Sequence, residues 1–184
     1  MNKKYFLYIT LLISLISCKK SNENASLDNG LFDRPYCNDP EAVNYNRDFP
    51  GIPDSTVCYY PIDVFVGSYM MKDSIFNAEY ELDTVLEYTI TLKSSNKTNL
   101  SVTGFCTGGE SLRFTADKYN KAVADSTYLA DSTKLPGQLT CSKQDTLTGL
   151  LLRNLPDSSL IKIDWLILSD TGLNYHIGTG TKIK

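Results

Sequence analysis

The stretch Leu86-Glu87-Tyr88-Thr89-Ile90-Thr91-Leu92 alternates large apolar or aromatic residues with polar ones at every step. Successive side chains of a β-strand point to opposite faces of the sheet, so this period of two predicts a strand with one buried and one solvated face. The same period returns at Ile161, Ile163, Trp165 and Ile167. No segment carries the pattern of a long amphipathic helix. The sequence therefore predicts an all-β domain.

Clusters of turn-forming residues separate the predicted strands at short, regular intervals. Examples are Ser94-Ser95-Asn96, Gly108-Gly109 and Ser169-Asp170-Thr171-Gly172. Short strands with this spacing are typical of an antiparallel meander. Because the period of two begins at Ile62, residues 62–184 are predicted to form a small antiparallel β-domain, either closed as a barrel or packed as a sandwich.

Residues 35–61 form a different kind of segment, bounded by Cys37 and Cys58 and rich in Asp, Asn and Pro. Proline disfavours helix here, while Asp and Asn favour turns through local hydrogen bonds to the backbone. A cross-link between the two cysteines would close a loop of about twenty residues and stabilise the fold by about 3 kcal/mol in the chain-entropy model. The segment is therefore predicted to be a disulfide-bounded loop module.

This module resembles a short cysteine-bounded motif that recurs in secreted Bacteroidota proteins. The residues that carry the resemblance are Cys37, Asp39, Pro40, Ala42, Asn44, Tyr45, Asn46, Asp54, Cys58 and Tyr59. Where the motif usually continues with proline and an Asp-Asp-Gly-Ser turn, this chain has Arg47-Asp48 and, at 53–56, Pro-Asp-Ser-Thr. Five oxygen-bearing side chains are either turn caps or calcium ligands: Asp39, Asn44, Asn46, Asp48 and Asp54. Their spacing does not match the EF-hand loop, so turn capping is favoured and no metal or cofactor is expected.

The N-terminus has the pattern of a processed leader, with a basic start, an apolar run over residues 5–16 and the tetrapeptide Leu15-Ile16-Ser17-Cys18. The run is shorter than the ~20 residues that span a bilayer. The tetrapeptide resembles the lipobox of bacterial lipoproteins. This implies a signal peptide at residues 1–17, a lipid on Cys18 that anchors the chain in a membrane, and a flexible tether at residues 18–34. No aspartate follows Cys18 directly, so the outer membrane is expected, with its periplasmic or surface face left open; an ordinary secretory signal is the alternative.

Five cysteines occur in the chain, and a lipid on Cys18 leaves four to form two disulfides in an oxidising compartment. Four cysteines permit three pairings. We favour Cys37–Cys58 and Cys106–Cys141, because the first pair shares one compact segment and the second falls within the β-domain. Zinc binding is the competing use, but the chain has no Cys-x-x-Cys and a single histidine.

Six triplets place Ser or Thr between Asp and either an apolar residue or Thr. They resemble the O-glycosylation signal of Bacteroidota proteins, which implies modification of hydroxyls in exposed loops. The candidate residues are Ser55, Ser74, Thr84, Ser126, Ser132 and Thr146. The alternative is that Asp-Ser and Asp-Thr begin turns where the next strand starts.

Catalytic patterns are weak. His176 is the only histidine and lies on a predicted final strand, and no nucleophile elbow accompanies it. Glu79, Glu81 and Glu87 could act as paired carboxylates, but their stretch of sequence places charges outward. The net charge of -3 and the lack of a basic patch argue against a nucleic-acid partner. The chain is therefore expected not to be an enzyme, and a hydrolase with an unrecognised carboxylate site is the rival hypothesis.

The β-domain resembles lipocalin-like domains of Bacteroidota lipoproteins. The resemblance rests on Phe65-Val66-Gly67-Ser68-Tyr69, on Tyr88-Thr89-Ile90 with Asn96, and on His176-Ile177-Gly178-Thr179-Gly180. It implies a barrel that carries a small apolar ligand. The expectation is a non-enzymatic, lipid-anchored cell-envelope protein that acts as a binding or interaction module, with a small apolar ligand, a glycan or an envelope protein as its partner.

Overall fold

The structure is a computed structural model that describes residues 29–141, 144–154 and 156–183. The expected signal peptide, the lipidation site Cys18 and the tether up to residue 28 lie outside the described residues. Within the described ranges, no helix has the length and hydropathy required to cross a bilayer.

Strands and turns dominate the described chain. Short 3-10 helices span Asn29–Leu31, Ser55–Val57 and Pro61–Val64. In the module, β1 (Pro35–Tyr36) and β2 (Ile52–Pro53) pair in parallel. The strands of the β-domain are β3 (Gly67–Phe76), β4 (Leu82–Ser94), β5 (Asn99–Thr103), β6 (Leu112–Ala116), β7 (Lys121–Ala124), β8 (Gln138–Leu139), β9 (Thr146–Arg153), β10 (Leu160–Ser169) and β11 (Gly172–Ile183).

Eight of these strands close into an antiparallel barrel in the order β3-β4-β5-β6-β7-β9-β10-β11. Closure occurs because β11 returns to pair with β3, while β9 pairs with both β7 and β10. The short β8 pairs with β9 at its side. The all-β prediction is confirmed, and of the two arrangements left open by the sequence the chain adopts the barrel.

The alternation within each strand sorts side chains between the barrel interior and the solvent. On β10, Ile161, Ile163 and Trp165 are buried, while Lys162 and Asp164 are exposed. Inward side chains from seven of the eight barrel strands, all except β11, belong to one apolar cluster. Full burial of one large apolar side chain contributes about 1.5–3 kcal/mol, so this cluster is the main source of stability.

One end of the barrel, where β3 begins, is called the N-terminal end. The 3-10 helix Pro61–Val64 leads into the fully buried Phe65 at this end. The buried Tyr69 donates a hydrogen bond from its hydroxyl to the Phe65 carbonyl oxygen over 2.9 Å. These residues close the N-terminal end with apolar contacts.

The loop module contacts the barrel at the same end. Lys97, in the β4–β5 turn, lies 2.6 Å from the Asp39 carboxylate and 3.0 Å from that of Glu41. Lys118, in the β6–β7 turn, donates a hydrogen bond to the carbonyl oxygen of Pro40. Two turns of the barrel are therefore tied to one short segment of the module.

The opposite end is called the hairpin end, since the β3–β4 turn at residues 77–81 and the β10–β11 turn lie there. The β5–β6 loop at this end is joined by Cys106–Cys141 to the loop that precedes β9. The other disulfide joins Cys37 to Cys58 within the module. Both disulfides follow the pairing that the sequence favoured.

Candidate functional site

An ionisable cluster lies inside the barrel towards the hairpin end. Asp73 on β3 is fully buried, and its Oδ2 accepts a hydrogen bond from the Tyr88 hydroxyl on β4 over 3.0 Å. His176 on β11 places its Nδ1 2.8 Å from the same oxygen. Strand alternation positions Asp73, because Tyr69 and Met71 precede it at two-residue steps and all three are buried.

Aromatic rings surround this cluster. The ring centroid of Phe105 lies 5.1 Å from that of Trp165, 5.9 Å from that of Tyr88 and 6.0 Å from that of His176. Phe105 directly precedes the disulfide-bonded Cys106, so the cross-link restrains the loop that holds its ring in place.

Two polar atoms of the cluster have no hydrogen-bond partner among the described residues. They are the buried Oδ1 of Asp73 and the buried Nε1 of Trp165. Leaving a buried donor or acceptor unsatisfied costs about 1–3 kcal/mol each. Unsatisfied atoms of this kind in a native protein need an explanation. One explanation is that a bound ligand supplies the missing hydrogen-bond partners.

A glycine makes room for the indole of Trp165. Gly149 lies opposite Trp165 in the β9–β10 register and has a φ of +138°. A Cβ at this position would come within 2.2 Å of the Asp164 carbonyl oxygen and 3.0 Å of the indole ring of Trp165. Any larger residue would therefore shift the ring that carries the unsatisfied N–H group.

The electrostatics of the cluster favour hydrogen bonding over proton transfer by the phenol. Burial raises the pKa of Tyr88 well above its ordinary range, and the charge of Asp73 and the hydrogen bond to it add to the shift. Tyr88 therefore stays protonated and donates to Asp73, which leaves Oδ1 as the acceptor for a further donor. In the described part of the chain, no group of three or more His, Cys, Asp and Glu side chains is placed to hold a metal ion.

Of the candidate catalytic residues, the structure places only His176 in the cluster. Glu79 and Glu81 are exposed in the β3–β4 turn, and Glu87 is exposed on β4. The Glu81 carboxylate accepts a hydrogen bond from the Asn77 side chain over 3.2 Å. The carboxylates proposed for a hydrolase are thus solvated.

Asp73 and Phe105 were not recognisable as site residues from the sequence. There, Asp73 is only the first member of an Asp-Ser-Ile triplet. One feature of the sequence could have identified Asp73. It follows Tyr69 and Met71 at two-residue steps, so a charged residue occupies an inward position of the strand. Phe105 lies in a loop, where alternation gives no information about side-chain direction.

Three of the five side chains considered for calcium, those of Asp39, Asn44 and Asp54, are engaged in turns and docking. Asp39 contacts Lys97 and the Tyr60 hydroxyl, and the Lys97 hydrogen bond is the main cause that lowers the pKa of Asp39 to about 2. Asp54 accepts from the backbone N–H of Thr56 over 2.8 Å. Asn44 bridges the module by donating to the Val57 carbonyl and accepting from the Tyr59 N–H. These contacts fit turn capping.

The six hydroxyls of the Asp-Ser and Asp-Thr triplets occupy different environments. Ser55 is exposed in the 3-10 helix Ser55–Val57 and Ser132 is exposed in the β7–β8 loop, whereas Ser126 and Thr146 are half-buried. Ser74 and Thr84 lie within β3 and β4, which differs from the loop position that a glycan requires. Glycosylation stays a prediction at all six positions.

A groove of about 400 Å³ crosses the outer face of the barrel and is separate from the cluster. Lys72, Lys162, Asp164 and Ile177, which are exposed, lie along it. None of the ionisable groups of the interior cluster lines it. The interior cluster is the stronger candidate because it keeps unsatisfied polar atoms away from water.

Comparisons with known proteins identify no family for the chain. No protein-family model matches the chain, and no curated protein matches it. Among solved structures, a redesigned β-barrel is 11% identical with a TM-score of 0.42, over 68% of this chain and 97% of the design. A redesigned barrel bound to DFHBI is 10% identical with a TM-score of 0.41, over 66% of this chain and 98% of the design. A DUF3598-family protein of unknown function from Nostoc punctiforme is 10% identical with a TM-score of 0.45, over 66% of this chain and 49% of that protein. These likenesses carry no information about function.

Proposed function

We propose that the protein is a non-enzymatic binding module of the cell envelope, anchored by a lipid on Cys18, and that its barrel takes a small, mostly apolar ligand at the hairpin end. The leader sequence supports the anchor, and the two disulfides fit an oxidising compartment. The ligand site is the cluster of Asp73, Tyr88 and His176 beneath Phe105.

The observation that carries the ligand site is the unsatisfied Oδ1 of the fully buried Asp73. Burying a carboxylate costs several kcal/mol, and only good geometry at all its lone pairs offsets this cost. A purely structural interior would be better served by an apolar residue of similar size. The carboxylate is therefore explained by a ligand that donates a hydrogen bond to Oδ1.

The surroundings of Oδ1 define the ligand chemistry. Phe105 and Trp165 offer ring faces and edges, which suit an apolar or aromatic body. The unsatisfied Trp165 N–H offers one donor. The ligand is thus a small apolar molecule with one hydrogen-bond donor and one acceptor, such as an amide or a hydroxylated ring.

A second candidate function is contact with a glycan or an envelope protein through the outside of the hairpin end. The ring of Tyr80 stacks on that of Tyr175 with centroids 4.3 Å apart, and Tyr80 is 63% exposed. Exposed tyrosine rings combine an apolar face with a polar tip, which suits both kinds of partner.

Native mass spectrometry of the protein extracted from its own envelope in a non-ionic detergent tests the proposal. We expect an adduct that is lost on unfolding, and a lipid mass on the peptide that contains Cys18. The adduct should persist in Asp164→Asn, a control on the outer face of β10, and fall by at least about tenfold in Asp73→Asn, which alters a hydrogen bond to a charged group. A bare wild-type mass, or equal adduct in both variants, would rule out the interior site.

A further inference from the structure

A polar cleft at the N-terminal end of the barrel is separate from the cluster described above. It has a volume of about 370 Å³, within the range of about 300–1,000 Å³ that is usual for small-molecule sites. It lies between the 3-10 helix at Pro61–Val64, the β9–β10 turn and the end of β11. Its polar lining residues are Asp63, Arg153, Ser158, Ser159 and Lys182.

Arg153 is the central residue of this cleft. It is half-buried at the end of β9, two residues after the inward-facing Leu151. Its Nε is buried and has no hydrogen-bond partner, and no carboxylate of the described chain forms an ion pair with it. A guanidinium carries five donors in a planar fork that matches oxyanions, so the Arg153 side chain can bind an anion that the described residues do not provide.

The other groups around the cleft leave room for such an anion. Lys182 donates to the Val66 carbonyl oxygen over 2.7 Å, which occupies one of the three donors of its ammonium group. Ser158 is exposed and adds a hydroxyl. Asp63 also lines the cleft, and its Oδ2 accepts a hydrogen bond from the Tyr60 backbone N–H over 2.7 Å.

The carboxylate of Asp157, in the same β9–β10 turn, is also engaged. It accepts from both the backbone N–H and the hydroxyl of Ser159, at 2.9 Å and 2.6 Å. The cleft therefore combines two cations and the Ser158 hydroxyl with one carboxylate, that of Asp63, which is already hydrogen-bonded.

We propose that this cleft binds a phosphate-bearing anion, with the Arg153 guanidinium as the main contact and Lys182 and Ser158 as further donors. A phosphate group presents several acceptor oxygens in a tetrahedral arrangement, which suits donors that come from different strands and a turn. The same chemistry is offered by free phosphate, by a phosphomonoester and by the phosphodiester headgroup of a lipid. The inference does not depend on the ligand site at the hairpin end.

Isothermal titration of the full-length protein in a non-ionic detergent tests the proposal. The three probes are inorganic phosphate, glycerol phosphate and glycerophosphoglycerol, the last being a soluble phosphodiester headgroup. We expect at least one probe to bind, with affinity that falls as salt screens the charges. Arg153→Gln should weaken this binding by at least about tenfold, because it removes a charge-assisted contact.

Two further variants keep the test decisive if Arg153→Gln fails to fold. Ser158→Asp adds a negative charge at the exposed rim without touching the core, and we expect the same loss of binding. Arg113→Gln removes an exposed arginine of β6 outside the cleft, and we expect wild-type affinity. Preference for glycerophosphoglycerol would assign a lipid headgroup, and preference for inorganic phosphate a free anion. If no probe binds, or if Ser158→Asp binds as well as wild type, the proposal is wrong.

Discussion

Replacement of Asp73 by asparagine separates the stability of the barrel from its binding function. The amide has almost the size of the carboxylate, so packing around the fully buried position is preserved. Its oxygen can still accept from Tyr88. The change therefore removes the buried charge and places the amide nitrogen, a donor, at the position of the unpaired Oδ1.

The magnitude follows from the contacts of the carboxylate. The two contacts on Oδ2, at 3.0 Å and 2.8 Å, are hydrogen bonds to a charged group and stabilise the fold by about 1.5–3 kcal/mol each. Oδ1 has no partner and contributes no stabilisation. The neutral amide forms bonds of about 0.5–1.5 kcal/mol each but avoids the several kcal/mol needed to dehydrate an ion. We expect the ligand-free Asp73→Asn variant to be more stable than wild type by about 1–2 kcal/mol.

Differential scanning calorimetry of ligand-free protein measures this effect. A gain of this size raises Tm by about 3–6 °C in a domain of this length. Asp164→Asn, on the exposed face of β10, should shift stability by no more than about 0.5 kcal/mol. A fall in Tm on Asp73→Asn would show that the carboxylate holds the barrel together, and the argument from its burial to a ligand would be wrong.

Two further predictions concern the contacts at the two ends of the barrel. The pKa of Asp39 is lowered to about 2, so the stability that its contact with Lys97 provides is fully present above the ordinary carboxyl range and is lost as the pH falls towards 2. NMR titration should show the Asp39 pKa rising towards its ordinary value of 3.8 in Lys97→Met, and an unchanged pKa would contradict the docking contact. Removal of the Cys106–Cys141 bridge, which spans 35 residues, should lower the free energy of unfolding in urea by about 4 kcal/mol and speed ligand release past Phe105. Release at the wild-type rate would show that Phe105 does not cover the site.

Strand alternation made the architecture of the β-domain predictable from sequence. At 161–167 every second residue is apolar, and those residues are the ones the barrel buries. Closure was not predictable, because it depends on the pairing of β3 with β11, whose residues lie about a hundred positions apart. A barrel and a sandwich impose the same alternation on each strand, so the sequence left both open.

The site was harder to predict because its members come from four strands and a loop. Asp73 and His176 are 103 positions apart in the chain, and only the β3–β11 register brings them within hydrogen-bonding distance. Tyr88 looked like an ordinary member of an alternating strand. Long-range register, and not local pattern, assembles the cluster.

Gln138 is a buried polar side chain with a structural role, and all of its polar atoms are hydrogen-bonded. Gln138 is almost fully buried, and its amide oxygen accepts from the Arg113 N–H over 2.6 Å. Its amide nitrogen donates to the carbonyl oxygens of Arg113 and Asp125. The Tyr69 hydroxyl is likewise satisfied by Phe65.

Three buried polar atoms, at the two ends of the barrel, lack the hydrogen bonds that Gln138 and Tyr69 have. Asp73 and Trp165 leave one polar atom each unpaired towards the hairpin end, and Arg153 leaves one at the N-terminal end. Buried polar groups in native proteins are almost always paired, and the side chain of Gln138 shows that this fold can pair them completely. Among the described residues, the unpaired atoms of Asp73, Trp165 and Arg153 are therefore the ones on which both proposed sites are built.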